Sequence, residues 1–124
     1  MRVLVCGGRD YRNSRLVQET LWDIDQTEGI TAIIQGGCRG VDKIARDWCD
    51  EDTKCITVPA LWHEHGKAAG PIRNQRMIDD FKPDLVVAFP GGRGTADMVR
   101  RAEAAGIRVM RVTDSAPAAH TEGT

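Results

Sequence analysis

The sequence predicts an α/β fold: a five-stranded parallel sheet of order 3-2-1-4-5, covered by helices on both faces as a three-layer α/β/α sandwich. Three observations carry this expectation. Short apolar runs alternate with longer segments of helical period, three of those runs end in paired or near-paired glycines, and only the third and fifth runs carry charge. Interior parallel strands are buried on both faces and read as unbroken apolar runs, so the charged runs belong at the edges.

Val3–Cys6 is the first strand, closed by Gly7-Gly8. Ser14 is positioned to cap a helix whose apolar face is Leu16, Val17, Thr20, Leu21 and Ile24, with Gly29 as its stop. Ile30–Ile34 is the second strand, followed by Gly36-Gly37. From Val41 onward, Ile44, Ala45 and Trp48 continue an apolar stripe, and Lys43, Arg46, Asp47, Asp50 and Glu51 face water. Cys55–Val58, with Lys54 before it and Thr57 within it, is an edge strand ended by Pro59. A longer connection, 59–70, leads to Gly70-Pro71, and proline suits the first position of a helix that buries Ile72, Met77, Ile78 and Phe81. Leu85–Phe89 is the fourth strand. Thr95 is expected to cap a last helix with Met98, Val99, Ala102 and Ala105 inward, ended by Gly106. Ile107–Val112, with Arg108 and Arg111, is the second edge. One domain over 1–112 and a disordered tail over 113–124 are expected.

The bulk properties exclude several classes. At 124 residues, 41% hydrophobic and 28% charged, the chain is globular, and a formal net charge of −1 argues against wholesale coating of nucleic acid. No apolar run approaches the ~20 residues that span a bilayer, and MRVLVCGG reads as a strand rather than a leader, so a cytoplasmic setting without membrane contact is expected. Cys6, Cys38, Cys49 and Cys55 form no CxxC pair; even with His63 and His65 they match no zinc spacing, so reduced thiols and no metal are expected.

The glycines carry the functional signal. In the order 3-2-1-4-5 the carboxyl ends of strands one, two and four share one rim, at the point where strand order reverses. Glycine allows close approach to backbone N–H groups, and each loop then enters a helix whose first amides lack partners and carry positive partial charge. Phosphate suits such a place. Gly36–Gly40 and Gly91–Gly94 are the best cradles by this reasoning, with Gly7 and Gly8 beside them. Arginine recurs in the same loops (Arg9, Arg39, Arg93), and Arg73, in the turn after Pro71, is expected at the same rim, matching phosphate through bidentate pairing. GxxxxGK[ST] is absent, as is GxGxxG after strand one, so neither a P-loop nor a standard dinucleotide site is predicted and no cofactor is implied.

GGRDY (7–11), GGCRGVD (36–42), GKAAGPIRNQRM (66–77) and FPGGRGTADM (89–98), in this order, resemble the SLOG superfamily (SMF/DprA–LOG), with its YspA-like branch nearest and a more distant likeness to LOG-type phosphoribohydrolases once described as lysine decarboxylase-like. The match spans roughly 2–112. The resemblance implies a Rossmann-like domain that binds nucleotides or nucleotide-derived signals at the glycine-rich rim. It also implies that Gly91, Gly92, Gly94 and Thr95 hold phosphate and that Arg73 stands for the LOG arginine. LOG enzymes cleave nucleoside 5′-monophosphates to base and ribose 5-phosphate and are commonly dimers. Their PGGxGTxxE motif departs here: Met98 occupies the glutamate position, and Asp97 sits one residue earlier, about 100° away around a helix. Leu61 stands before Trp62 where the branch more often has an aspartate.

Two readings of function follow. One is a non-catalytic binder that senses or sequesters a nucleotide or nucleotide derivative. The other is a phosphoribohydrolase that cleaves an N-glycosidic bond, for which a carboxylate near an oxocarbenium-like centre is needed. Asp42, Asp97 and Arg73 are then the catalytic candidates, with Asp10 third among the acids. Aspartates in a first helical turn also serve as caps, and Asp42 could equally bond ribose hydroxyls. Asn74 could read a base or sugar, Lys67 could add charge, and Trp62 could stack or fill core. His63 and His65, in a connection able to fold over the crevice, could supply a base. Cys6 as nucleophile needs a depressed thiol pKa. With one tyrosine and two phenylalanines the chain is poorly supplied for stacking single-stranded nucleic acid. Trp22 lies off its helix's apolar stripe and would suit a homodimer or higher homo-oligomer.

Overall fold

The computed structural model describes residues 1–113; apart from Thr113, the tail expected to be disordered lies outside the described residues. Five strands, β1 (Arg2–Cys6), β2 (Ala32–Gln35), β3 (Lys54–Thr57), β4 (Leu85–Ala88) and β5 (Arg108–Arg111), form one sheet in the order β3-β2-β1-β4-β5. Every pairing is parallel. β1, β2 and β4 are buried along nearly their whole length, whereas β3 and β5 are largely exposed, as the charge distribution predicts.

The connecting helices are α1 (Ser14–Glu28), α2 (Val41–Trp48), α3 (Trp62–His65) with a 3-10 turn at Gly66–Ala68, α4 (Ala69–Phe81) and α5 (Arg93–Ala104). Alternation along the strands sorts two cores. Val3, Val5, Ile33, Leu85 and Val87 face one way and pack under α1 and α2 with Val17, Leu21 and Val41. Leu4, Cys6, Ile34, Val86 and Ala88 face the other way, under Met77, Ile78, Met98 and Ala102 of α4 and α5. At roughly 1.5–3 kcal/mol for each fully buried aliphatic side chain, these two layers carry the fold.

Several local expectations are corrected. Asn13, not Ser14, caps α1: its side-chain oxygen accepts the Leu16 N–H at 3.1 Å. The connection 59–70 is not extended, because α3 and the 3-10 turn wind it, and Pro71 is therefore the third residue of α4 rather than the first. A proline is still tolerated there, since the N–H it lacks would have no intrahelical partner. Ile72 faces outward, 38% exposed, rather than into the core, and Ala105, one residue past the end of α5, is likewise exposed. Thr95 is not the cap of α5; Gly92 takes that place, and no side chain caps the helix. Among the described residues no helix is long and apolar enough to cross a membrane.

Candidate functional site

The loops after β1, β2 and β4 meet at one rim. Gly8 ties them: its N–H donates to the Pro90 carbonyl at 2.9 Å, and its own carbonyl accepts the Val41 N–H at 3.2 Å. Such closeness is possible only without side chains. A Cβ on Gly91 would collide with the Gly7–Gly8 backbone and with Thr95. One on Gly40, whose φ of 76° lies in the left-handed region, would enter the Gly8–Arg9 backbone.

Between these loops and α4 lies a cavity of about 330 Å³, within the range of small-molecule sites. Its wall includes Gly7, Gly8, Arg9, Gly36, Asp42, Arg73, Asn74, Gly92, Arg93, Gly94 and Thr95, all named from the sequence as candidates. Val5, Cys6, Cys38, Met77 and Met98 complete it. Of these five, only Cys6 and Met98 stand out in the sequence, by position. The signal for Met77 and Met98 is that the apolar stripes of α4 and α5 converge on this rim. Gly37, Arg39, Gly40, Gly91 and Asp97 do not line the cavity. Arg39 points outward to Asp10 at 3.0 Å, both exposed, so neither serves the site as an inward-facing charge.

The three glycine loops are not equivalent. In the loop after β2, the Gly37 N–H donates to the side-chain oxygen of fully buried Gln35 at 2.6 Å, and the Gly36 and Cys38 amides donate to the Asp42 carboxyl, the latter at 3.2 Å. The Val41 amide is held by Gly8. The amides of Gly36, Gly37 and Cys38, part of the cradle expected over Gly36–Gly40, are thus taken by the protein's own acceptors. At α5 the situation differs. Arg93, Gly94 and Thr95 form its first turn, their amides have no intrahelical carbonyl to reach, no side chain caps them, and all three residues line the cavity. Open space stands where a Cβ of Gly92 or Gly94 would be. This is the uncommitted amide cluster.

Cationic charge surrounds it. Arg9, Arg73 and Arg93 line the cavity, and among the described residues none of them forms an ion pair within 4 Å. Arg73 is fixed by three bonds: Nη1 donates to the Gly36 carbonyl (3.0 Å) and the Val58 carbonyl (3.4 Å), and Nε to Asn74 Oδ1 (3.0 Å). Asn74 is buried, and its Nδ2 donates to the Gly94 carbonyl (3.2 Å) and to Asp97 Oδ2 (3.0 Å). Both its amide hydrogens are therefore used inside the protein. It positions Arg73 against α5 rather than being free to donate to a ligand. Asp97 is likewise occupied, by Arg100 at 2.7 Å and Arg101 at 2.8 Å. Burial raises its carboxyl, but hydrogen bonds from Arg101 and Asn74 and the nearby guanidinium charges outweigh that and hold it below the ordinary range. Its partners at i+3 and i+4 are the physical reason it does not serve the cavity. Met98, at the position of the LOG glutamate, is 1% exposed and lines the cavity with a thioether.

One acid does reach the cavity. Burial pushes the Asp42 carboxyl up, against the lowering effect of the Cys38 and Gly36 amides and of Arg73. It both clasps its own loop and faces the cavity. Cys6, at the end of β1, is pushed up to about 12 by burial and by Asp42, so it stays a thiol at neutral pH and makes no nucleophile. His63, His65, Lys67 and Trp62 are exposed on α3 and the 3-10 turn, outside the cavity wall, and the two histidines stand on a helix rather than side by side on an extended segment. Trp62, 50% exposed, lies over Gly70 and is not core. Trp22 is 57% exposed, as its place off the stripe predicts. Among the described residues no group of three or more His, Cys, Asp or Glu could hold a metal ion.

Comparison with known proteins adds to this geometry. A family model described as "YspA, cpYpsA-related SLOG family" matches residues 1–65, which include the first two glycine loops and Asp42. The chain is similar to the Gene 61 protein of Mycobacterium phage D29, at 35% identity over 123 residues, covering 91% of this chain and 97% of that protein. No solved structure gives a significant match.

Proposed function

Starting from the fact that the chain belongs to the YspA, cpYpsA-related SLOG family, we propose that it binds a nucleotide or nucleotide-derived small molecule, phosphate end inward, as a sensing or sequestering protein. The observation that supports this reading is the coincidence of uncommitted first-turn amides of α5 with three arginines lacking ion pairs around one cavity. A phosphate group supplies the acceptors those donors lack, and each charge-assisted bond is about twice as strong as a neutral one. Val5, Met77 and Met98 back the cavity as an apolar floor and are themselves almost fully buried. Absence of a free carboxylate at position 97 or 98 favours binding over hydrolysis.

Hydrolysis of a nucleoside 5′-monophosphate is the second reading, favoured by one observation: Asp42 reaches the cavity with its carboxyl raised above the ordinary range by burial, the direction a general acid requires. The two readings separate in one experiment. The protein is incubated with a panel of nucleoside mono- and diphosphates and ADP-ribose derivatives, freed of excess, denatured, and the retained and released compounds are identified by mass spectrometry. A binder returns its ligand unchanged. Free base with ribose 5-phosphate, lost in Asp42→Asn, establishes the hydrolase, and neither a retained phosphorylated compound nor a released base removes both.

A further inference from the structure

Four cysteines are free: Cys6 buried, Cys38 and Cys49 half-buried, Cys55 exposed. The backbone brings two of them together. Cys49 is the residue that ends α2, and a turn in which the Thr53 N–H donates to the Asp50 carbonyl (3.2 Å) returns the chain into β3. Cys55 stands beside Ile33 in the parallel register, and Ile56 beside Ile34. Paired neighbours share a face of the sheet. Ile33 belongs to the core under α1 and α2, and Ile34 to the opposite one. Cys55 therefore projects toward the α2 side, where Cys49 packs on that same core. The two thiols stand close enough that Cys55 raises the Cys49 thiol. Each also has a partner of its own: Cys49 donates to the Ala45 carbonyl at 3.5 Å, and Cys55 accepts from Gln35 Nε2 at 3.9 Å.

We propose that Cys49 and Cys55 are a dithiol site that closes into a reversible disulfide, tying the end of α2 to the edge strand β3. The inference is independent of the cavity and its ligand. The oxidant is a small external disulfide. Cys55, the exposed thiol, loses its proton to solvent and attacks one sulfur of that reagent, breaking its S–S bond and releasing one small thiolate. Cys49 then loses its proton, its sulfur attacks that of Cys55, and the second small thiolate leaves. Two protein thiols are oxidised and one external disulfide is reduced to two thiols. Burial, and then Cys55 itself, push the Cys49 thiol up to about 12, so the first attack falls to the exposed Cys55. Once Cys55 is capped, part of what raises Cys49 is gone.

Trypsin makes the test direct. Arg46, Lys54 and Lys67 place the two cysteines on separate peptides, 47–54 and 55–67. The reduced, folded protein is exposed to excess oxidised glutathione, remaining thiols are alkylated, and the digest is analysed by mass spectrometry. The expected result is a link between those two peptides, a fall of about two thiols per chain, and reversal by dithiothreitol. In Cys49→Ser, Cys55 carries glutathione instead and no link forms. Wild-type protein in which Cys55 carries glutathione while Cys49 is alkylated, a link between the Cys6 and Cys38 peptides instead, or a Cys55 that does not react, each overturns the proposal.

Discussion

Replacing Arg73 with alanine probes the cavity at its most constrained cation. Its Nη1 and Nε are spent on the Gly36 and Val58 carbonyls and on Asn74, at 3.0, 3.4 and 3.0 Å, while among the described residues Nη2 has no partner. A bound phosphate gains at least one charge-assisted bond from that nitrogen, worth about 1.5–3 kcal/mol, so its loss raises Kd roughly 10- to 150-fold. Arg9 and Arg93 remain and moderate the loss, which places the expected value at about 10- to 50-fold. The fold survives: the Gly36 carbonyl left behind lines the cavity, where water replaces the guanidinium, and the stability cost is about 1–2 kcal/mol. Lysine at the same position keeps the charge but cannot serve Asn74 and Gly36 together, so it recovers only part of the affinity. Isothermal titration calorimetry with the compound retained from the nucleotide panel measures Kd, and circular dichroism in urea measures stability. A folded Arg73→Ala protein that binds within about twofold of wild type refutes a guanidinium contribution at this rim.

Gly94→Ala should move stability and binding in opposite directions. It sits in the first turn of α5 with open space where a methyl would stand, so the helix gains up to about 1 kcal/mol while the methyl intrudes on the amide cluster. A higher Tm with weaker nucleotide binding is expected, and unchanged affinity would count against α5 as the phosphate seat. Asp42 predicts a pH signature. Its folded carboxyl titrates above the ordinary 3.8, so the neutral acid is favoured in the fold, and stability from this group is full below 3.8 and declines as pH rises through the raised value. Asp42→Asn removes that decline while keeping an acceptor for the Cys38 amide. The Tm difference, mutant minus wild type, should therefore grow as pH rises above the ordinary 3.8 and level off once pH has passed the raised value. A flat or shrinking difference in differential scanning fluorimetry contradicts the burial argument.

Much of the architecture is legible in the sequence. Unbroken apolar runs at Val3–Cys6 and Leu85–Phe89, against Lys54 and the Arg108–Arg111 pair, are local features of burial on two faces or one, and they suffice to order a parallel sheet. Helix starts were less legible. Whether Asn13 or Ser14, or Gly92 or Thr95, takes the cap depends on where the preceding loop delivers the chain, and that is set by its neighbours in space. The pairing of Asp97 with Arg100 and Arg101 could have been read from the i+3 and i+4 spacing, and it accounts for an acid that does not reach the cavity.

Composition and period by themselves determined that glycine loops and arginines gather at one rim, because parallel strands joined by helices must end their central loops on the same side. Which of those loops can still bind something was decided only by tertiary structure. A backbone amide is spent or available according to the acceptors the fold brings to it: Gly8 satisfies Val41 and Pro90 satisfies Gly8 from far along the chain, and a Gln35 side chain buried by the sheet satisfies Gly37 from two residues away. The turn opening α5 meets no such acceptor. Hydrogen-bond satisfaction is a property of pairs, and a string of residue types does not specify pairs.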